Sequence, residues 1–261
     1  MGKTKENVLL KAVIKIFTHE RPGKVLDLGC ATGDYSLELH RMGFDVTAAD
    51  VCAGFKYTRQ IKFVRLWDEG SLPFEKDCFD FILLAEVIEH LKEPHRFMKI
   101  MRDLLKPEGK LILSTPNILN LKSRIRFLTE GTYEYFREPS LDHVLHNARE
   151  GIDVSQVHIM PMRYHELEFL LNDSGFTIVE IKTSKKEGWG LFFLLAVIWF
   201  QLKLKAKRSA RKGGVDYTRI NRILLMPELL YGRHLIVKAF KNGQGGLKNG
   251  GGENEHRNQS K

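Results

Sequence analysis

The sequence predicts an α/β fold, a mostly parallel sheet with helices on both faces, and three observations carry that expectation. The run Lys24-Val25-Leu26-Asp27-Leu28 is rich in apolar side chains, and it passes through a small-residue loop into a helix-forming stretch from Tyr35 to Met42. Parallel strands buried on both faces read this way, and the strand-loop-helix unit is how such a sheet turns around a bound nucleotide. Phe79 to Leu84 and Leu111 to Asn117 repeat the apolar run ending in polar residues, each with helical spacing nearby. Finally, 261 residues with 43% hydrophobic content can bury one full core and leave length for an insertion or tail.

Taken in order, Asn7 to Phe17 places Leu9, Leu10, Val13, Ile14 and Phe17 on one helical stripe. After the first strand come Gly29 and Gly33, which let the backbone bend tightly and a ligand approach it, with the Asp27 carboxylate beside the opening. Gly43 breaks the chain, and Phe44 to Asp50 reads as a second strand ending on an exposed acid. Nucleotide-binding α/β folds place a ribose-binding carboxylate at about this distance from the glycine loop. Ile61 to Leu66 is the third strand, followed by Trp67, which suits either the core or a ligand wall. Phe79 to Leu84 is the fourth, Pro94 opens a helix running to about Leu105, and Lys106 to Lys110 is a turn before the fifth strand. Ile118 to Leu128 is helical and carries Lys122, Arg124 and Arg126; residues 129–161 are irregular and rich in Tyr and His. A helix from Arg163 to Asp173, a sixth strand from Phe176 to Ile181 and a seventh from His234 to Phe240 complete the reading.

Two of these stretches carry a family resemblance. Asp27-x-Gly29-x-Ala31-x-Gly33 resembles the first motif of class I S-adenosylmethionine-dependent methyltransferases, acid-x-Gly-x-Gly-x-Gly, with Ala31 at the middle glycine. The dinucleotide fingerprint Gly-x-Gly-x-x-Gly is absent. Phe79-Asp80 followed by Glu86-Val87-Ile88-Glu89-His90-Leu91 is similar to the fourth-strand motif of that family, above all its ubiquinone-biosynthesis O-methyltransferase branch. The resemblance implies a Rossmann-like seven-stranded sheet whose last strand is antiparallel. It also implies S-adenosyl-L-methionine bound by Asp27, Gly29, Cys30, Ala31, Gly33, Asp50, Val51, Asp68, Glu69 and Glu86, with Asp50 on the ribose hydroxyls and Asp68 on the adenine amino group.

Charge divides the chain unevenly. Between Ser184 and Arg222 lie ten Lys or Arg against only Glu187 and Asp216, which accounts for nearly all of the net charge of +9. A basic patch confined to one segment suits a local anionic contact and argues against a domain built to grip nucleic acid. Just ahead of the basic run, Gly188 to Leu202 holds 15 uncharged residues including Trp189 and Trp199. A spanning helix needs about 20 apolar residues, and a single crossing would strand the seventh strand on the wrong side. The stretch 188–212 therefore reads as a monotopic contact with an anionic membrane surface, with core or dimer packing as the alternative. The domain reading is 1–183 with 231–241 as the methyltransferase domain, 184–230 as an apolar and basic insertion, and 242–261 as a disordered tail. Three scattered cysteines suit reduced thiols, and Lys11 and Lys15 interrupt any leader-like apolar run, so a cytoplasmic, peripheral-membrane location is expected.

Methyl transfer from a sulfonium is an in-line displacement in which an alcohol or phenol must also lose a proton, so a general base or a metal is useful. His90, just after the fourth strand, is the first candidate base. A helical turn would place Glu86, Glu89 and His90 together as cation ligands, completed by His143, His146 or His158; similar motifs bind metal in some relatives, including an RNA-end 2′-O-methyltransferase branch. A metal-free cleft is the favoured reading. The acceptor is expected to be a small molecule or a lipid-linked one, such as a quinone precursor or a polyprenyl-linked sugar. The alternatives are a metal-dependent RNA 2′-O-methyltransferase and a nonenzymatic nucleotide-binding scaffold.

Overall fold

A computed structural model describes residues 7–67, 72–136, 158, 160–186 and 217–242. The elements run α1 (Val8–Phe17), β1 (Lys24–Leu28), α2 (Asp34–Arg41), β2 (Asp45–Asp50), β3 (Lys62–Arg65), β4 (Phe79–Ala85), a single 3-10 turn (Ile88–His90), α3 (Pro94–Leu104), β5 (Leu105–Pro116), α4 (Leu121–Glu130), α5 (Tyr164–Asp173), β6 (Phe176–Thr183), α6 (Tyr217–Leu224), α7 (Pro227–Tyr231) and β7 (His234–Lys241). They form one seven-stranded sheet in the order β3-β2-β1-β4-β5-β7-β6. Strands β1 to β5 are parallel to their neighbours, while β7 is antiparallel to both β5 and β6. The sheet is thus mostly parallel, as expected, with β7 wedged between the fifth and sixth strands.

Alternation along the strands sorts the core into two layers, because successive side chains leave a strand on opposite faces. Val25, Phe81, Leu83 and Ile112 face α1 and α2, where Leu9, Val13, Ile16, Phe17 and Leu39 cover them. Leu26, Leu28, Ile82, Leu84, Leu111 and Leu113 face the other way, against Met98 and Met101 of α3, Leu167 and Leu171 of α5, Ile223 of α6 and Leu229 of α7. The last third of segment 184–230 therefore packs on the sheet. Ile16 takes the buried place on α1 that the expected stripe gave to Leu10 and Ile14, which are half-buried. Asn7 caps that helix, its Oδ1 accepting the Leu10 N–H at 3.1 Å.

Lys106 to Lys110, expected as a turn, lies within the 12-residue β5. The chain there forms a bulge against β4, the register slipping between Phe79↔Leu105 and Phe81↔Lys110, with Glu108 at φ 61°. Trp67 is 87% exposed, so the core option for it is excluded. Asp68 and Glu69, the stretch 188–212 and residues 243–261 lie outside the described residues.

Candidate active site

The carboxyl ends of β1, β2 and β4 meet at one edge of the sheet, where ligands bind in open parallel sheets. Strand β1 ends at Leu28, and the chain turns at once: Gly29 has φ 77°, Ala31 47° and Gly33 90°. The Gly29 and Cys30 N–H groups both donate to the Ala49 carbonyl, at 2.8 and 3.3 Å, and the Gly33 N–H donates to the Cys30 carbonyl at 2.8 Å. Both glycines are required sterically. A Cβ on Gly29 would lie 2.5 Å from Cγ2 of Val87, and one on Gly33 would lie 2.4 Å from the Phe55 ring. Ala31 tolerates its left-handed backbone at about 1–2 kcal/mol of strain. α2 then begins at the loop with Gly33 as its N-cap, so the start of the helix lies beside the opening and has no side-chain cap.

Asp50 braces this loop. Its Oδ2 accepts the Ala31 N–H at 2.7 Å and its Oδ1 accepts the Cys52 N–H at 2.7 Å, and the residue is only 8% exposed. The expected exposed acid is therefore buried, because the same turn that presents it to a ligand folds two backbone donors over it. Each oxygen keeps a second lone pair for a ribose hydroxyl. Val51, next in the chain, is 40% exposed beside it.

Asp27 sits beneath the loop, fully buried, with Ser36 of α2 donating to its Oδ2 at 2.5 Å. Burial pushes its carboxyl up to about 6, against the pull of the Ser36 hydrogen bond. Cys30 is buried at the loop, and desolvation, reinforced by Asp27 and Asp50, raises its thiol well above the usual range. Those features make it an inert wall of the site and not a nucleophile.

At the end of β4 the chain departs from the expected helical turn. Glu86 has φ 56° and only Ile88 to His90 form a turn, so Glu86 does not share a face with His90. Its N–H donates to the Ser114 carbonyl at 3.0 Å, and its Oε1 faces His234 Nε2 at 3.4 Å. Glu89 is fully buried, neither carboxylate oxygen makes a hydrogen bond of good geometry, and the nearby Thr115 hydroxyl and its own backbone N–H offset only part of the effect of burial. Burial pushes its carboxyl up to about 8. One ligand atom each from Glu89, His90 and His158 lie within 4.8 Å of one another, and the two imidazole rings are 4.8 Å apart. His158 Nδ1 pairs with the Tyr135 carbonyl at 3.0 Å, which leaves the other ring nitrogen for a ligand. The cation-ligand set is thus Glu89, His90 and His158, without Glu86; His143 and His146 lie outside the described residues.

A methyltransferase-domain family matches residues 1–181. The chain belongs to that family. Its members transfer methyl groups from S-adenosylmethionine, and the glycine loop, Asp27 and Asp50 lie within the matched span. A ubiquinone biosynthesis O-methyltransferase of Cereibacter sphaeroides is 29% identical over 153 residues, 50% of this chain and 60% of that one. The methyltransferase chain therefore spans less than two thirds of that relative's length. Among solved structures, a SAM-dependent methyltransferase from Archaeoglobus fulgidus aligns at TM-score 0.56 with 16% identity, covering 91% of this chain and 95% of the other. The Burkholderia thailandensis 1,6-didemethyltoxoflavin-N1-methyltransferase, solved with 1,6-didemethyltoxoflavin and S-adenosylhomocysteine, aligns at TM-score 0.55 with 16% identity over 92% and 80%. At such identity these two establish a shared fold.

Of the methyltransferase residues expected from sequence, the structure brings Asp27, Gly29, Cys30, Ala31, Gly33, Asp50 and Val51 together at one loop, with Glu86 across the opening. The sequence does not single out Tyr35, Ser184 or His234, which the fold brings near Glu86. Tyr35 is pushed well above the usual phenol range by burial and by the charges of Glu86, Asp27 and Asp34 around it. No local pattern marks Ser184 or His234, whose partners lie far away in sequence.

Proposed function

We propose that this chain is an S-adenosylmethionine-dependent methyltransferase acting on an oxygen of a small-molecule or lipid-linked acceptor. The observation that carries the reading is the loop at Gly29 to Gly33, held open by Asp50 at the carboxyl ends of β1 and β2. A cofactor there would have its ribose at Asp50 and its methionine end toward Glu86. The protein's main task is then to hold acceptor oxygen, methyl carbon and sulfur in line, and such positioning is worth up to about 7–11 kcal/mol. His90 is proposed as the group that takes the acceptor's proton.

A second reading has a specific observation in its favour. The buried Glu89 carboxylate beside two imidazoles, with no hydrogen bond of good geometry, is costly unless something compensates it, and one carboxylate with two imidazoles fits a divalent transition metal. Glu89, His90 and His158 would hold such an ion, which would lower the pKa of a coordinated acceptor hydroxyl. Isothermal titration with Mn²⁺ alone tests this: heat of binding in the wild type that is lost in Glu89→Gln supports it, and no heat at 1 mM Mn²⁺ refutes it.

The contact of 188–212 with an anionic membrane surface is also proposed, supported by composition. Among the described residues no helix is long and apolar enough to cross a membrane. A cytoplasmic location with peripheral attachment goes with that proposal. Flotation with phosphatidylglycerol vesicles, comparing the full chain with one lacking 188–212, tests it; equal flotation of both refutes it. The function itself is tested by calorimetric titration with S-adenosylmethionine and, separately, NAD. Failure to bind either ligand would overturn it in favour of a scaffold.

A further inference from the structure

Three side chains from different parts of the fold line up at the open edge of the sheet. Ser184 follows β6, His234 opens β7 and Glu86 follows β4; Ser184 Oγ is 2.6 Å from His234 Nδ1, and His234 Nε2 is 3.4 Å from Glu86 Oε1. We propose that Ser184 and His234 are positioning residues that hold Glu86 as the counter-ion for the ammonium group of the cofactor's aminobutyrate arm. This rests on the methyltransferase reading above.

Glu86 lies on the side of α2, since its charge acts on Tyr35, and the next residue, Val87, packs against Gly29 of the loop. Its side chain keeps 39% of its exposure, whereas that of His234 keeps 12%, so the carboxylate can reach a ligand and the imidazole stands behind it. The left-handed backbone at Glu86, φ 56°, costs strain that a non-glycine residue keeps only when its surroundings impose it. Here the Glu86 N–H lies 3.0 Å from the Ser114 carbonyl and 3.2 Å from Ser114 Oγ.

The hydrogen-bond roles then follow. A serine hydroxyl donating to Nδ1 leaves the proton of a neutral imidazole on Nε2, the nitrogen 3.4 Å from Glu86 Oε1 and close enough to donate to it after a small adjustment of the side chains. Burial, with Arg233 nearby, holds His234 down to about 4, so it stays a neutral donor at physiological pH. A neutral donor orients the carboxylate without cancelling its charge; a cationic histidine would compete with the ammonium. The other groups that act on Glu86 or His234 are Tyr35, Arg233, Tyr135 and Glu89.

The test uses the full chain and three ligands in calorimetric titration: S-adenosylmethionine, S-adenosylhomocysteine and 5′-methylthioadenosine, which lacks the aminobutyrate arm. Glu86→Gln should weaken the first two alike, by roughly 10- to 100-fold, the range for a hydrogen bond to a charged group. It should leave methylthioadenosine unchanged. His234→Phe should weaken the first two by roughly 2- to 10-fold, and His234→Gln, whose amide nitrogen replaces Nε2–H, should restore binding. Loss of S-adenosylmethionine affinity alone would place Glu86 at the sulfonium and overturn the proposal. Equal loss of all three ligands would make the histidine merely structural and overturn it too. Nitrogen-15 NMR of the histidines is independent of any ligand: His234 should be the Nε2–H tautomer and switch in Ser184→Ala. A wild type that binds none of the three ligands refutes the methyltransferase reading, whereas an Nδ1–H tautomer at His234 refutes this assignment alone.

Discussion

Replacing Asp50 by Ala should unfold the cofactor site as well as empty it. The carboxylate is nearly buried and accepts two backbone N–H groups at 2.7 Å, from Ala31 and Cys52. Hydrogen bonds to a charged group are worth about 1.5–3 kcal/mol each. Removing the acceptor leaves two part-buried donors, of which loop relaxation and entering water recover a part, so a net loss of about 3 kcal/mol is expected. The Ala31 N–H partner also holds that residue in its left-handed conformation, about 1–2 kcal/mol above the alternatives, so the loop has every reason to relax once Asp50 is gone. For a domain of this size each kcal/mol shifts the melting temperature by about 2–4 °C, giving a fall of roughly 6–12 °C. The assay is thermal and urea unfolding by circular dichroism, with S-adenosylmethionine affinity measured at a temperature where both proteins are folded. Asp50→Asn is the informative partner: it keeps one acceptor and turns an NH2 toward the other backbone donor, so it should be destabilised to a similar degree. If Asp50→Ala melts within 2 °C of the wild type, the bracing role is wrong and Asp50 is a ligand group only.

Other consequences can be checked in the same preparations. Asp27 ionises near 6 in the folded chain against about 3.9 when unfolded, so the native state binds the proton more tightly and stability falls as pH rises from about 4 to 6, then stays lower. Asp27→Asn keeps an oxygen for Ser36 and should match the wild type at pH 4 but exceed it by about 2 kcal/mol at pH 8; parallel urea midpoints across pH would refute this. Gly33→Ala should cost at least about 2 kcal/mol, since φ is 90° and Phe55 occupies the Cβ space. Ala31→Gly should be neutral or stabilising by about 0.5 kcal/mol, because relief of left-handed strain slightly exceeds the entropy of glycine; a loss above 1 kcal/mol would show that the methyl group packs. His90→Ala should reduce turnover with catechol as probe acceptor by about 100-fold while changing S-adenosylmethionine affinity less than threefold; equal losses would make His90 structural.

The order of strands and helices was legible because each strand is a short apolar run closed by polar or small residues, and each helix shows its stripe. The glycine loop was legible for a related reason: its constraints are local, and only residues without a Cβ satisfy φ near 80° against Val87 and Phe55. Asp27 and Asp50 were found from their distance to that loop. Their states were not, since burial depends on Ser36 and on donors from residues 31 and 52 that the turn brings in. Helical spacing grouped Glu86 with Glu89 and His90, and the structure separates them, because a single left-handed residue at the end of β4 turns Glu86 toward β7 and lets His158 take its place. The sequence by itself determined the sheet, its nucleotide-type loop and the family, all written in contacts between neighbours along the chain. Only the tertiary structure decided which side chains meet: antiparallel insertion of β7 beside β5 sets His234 level with Pro116, within reach of Glu86, and a 3.4 Å contact between residues 148 positions apart leaves no trace in local spacing.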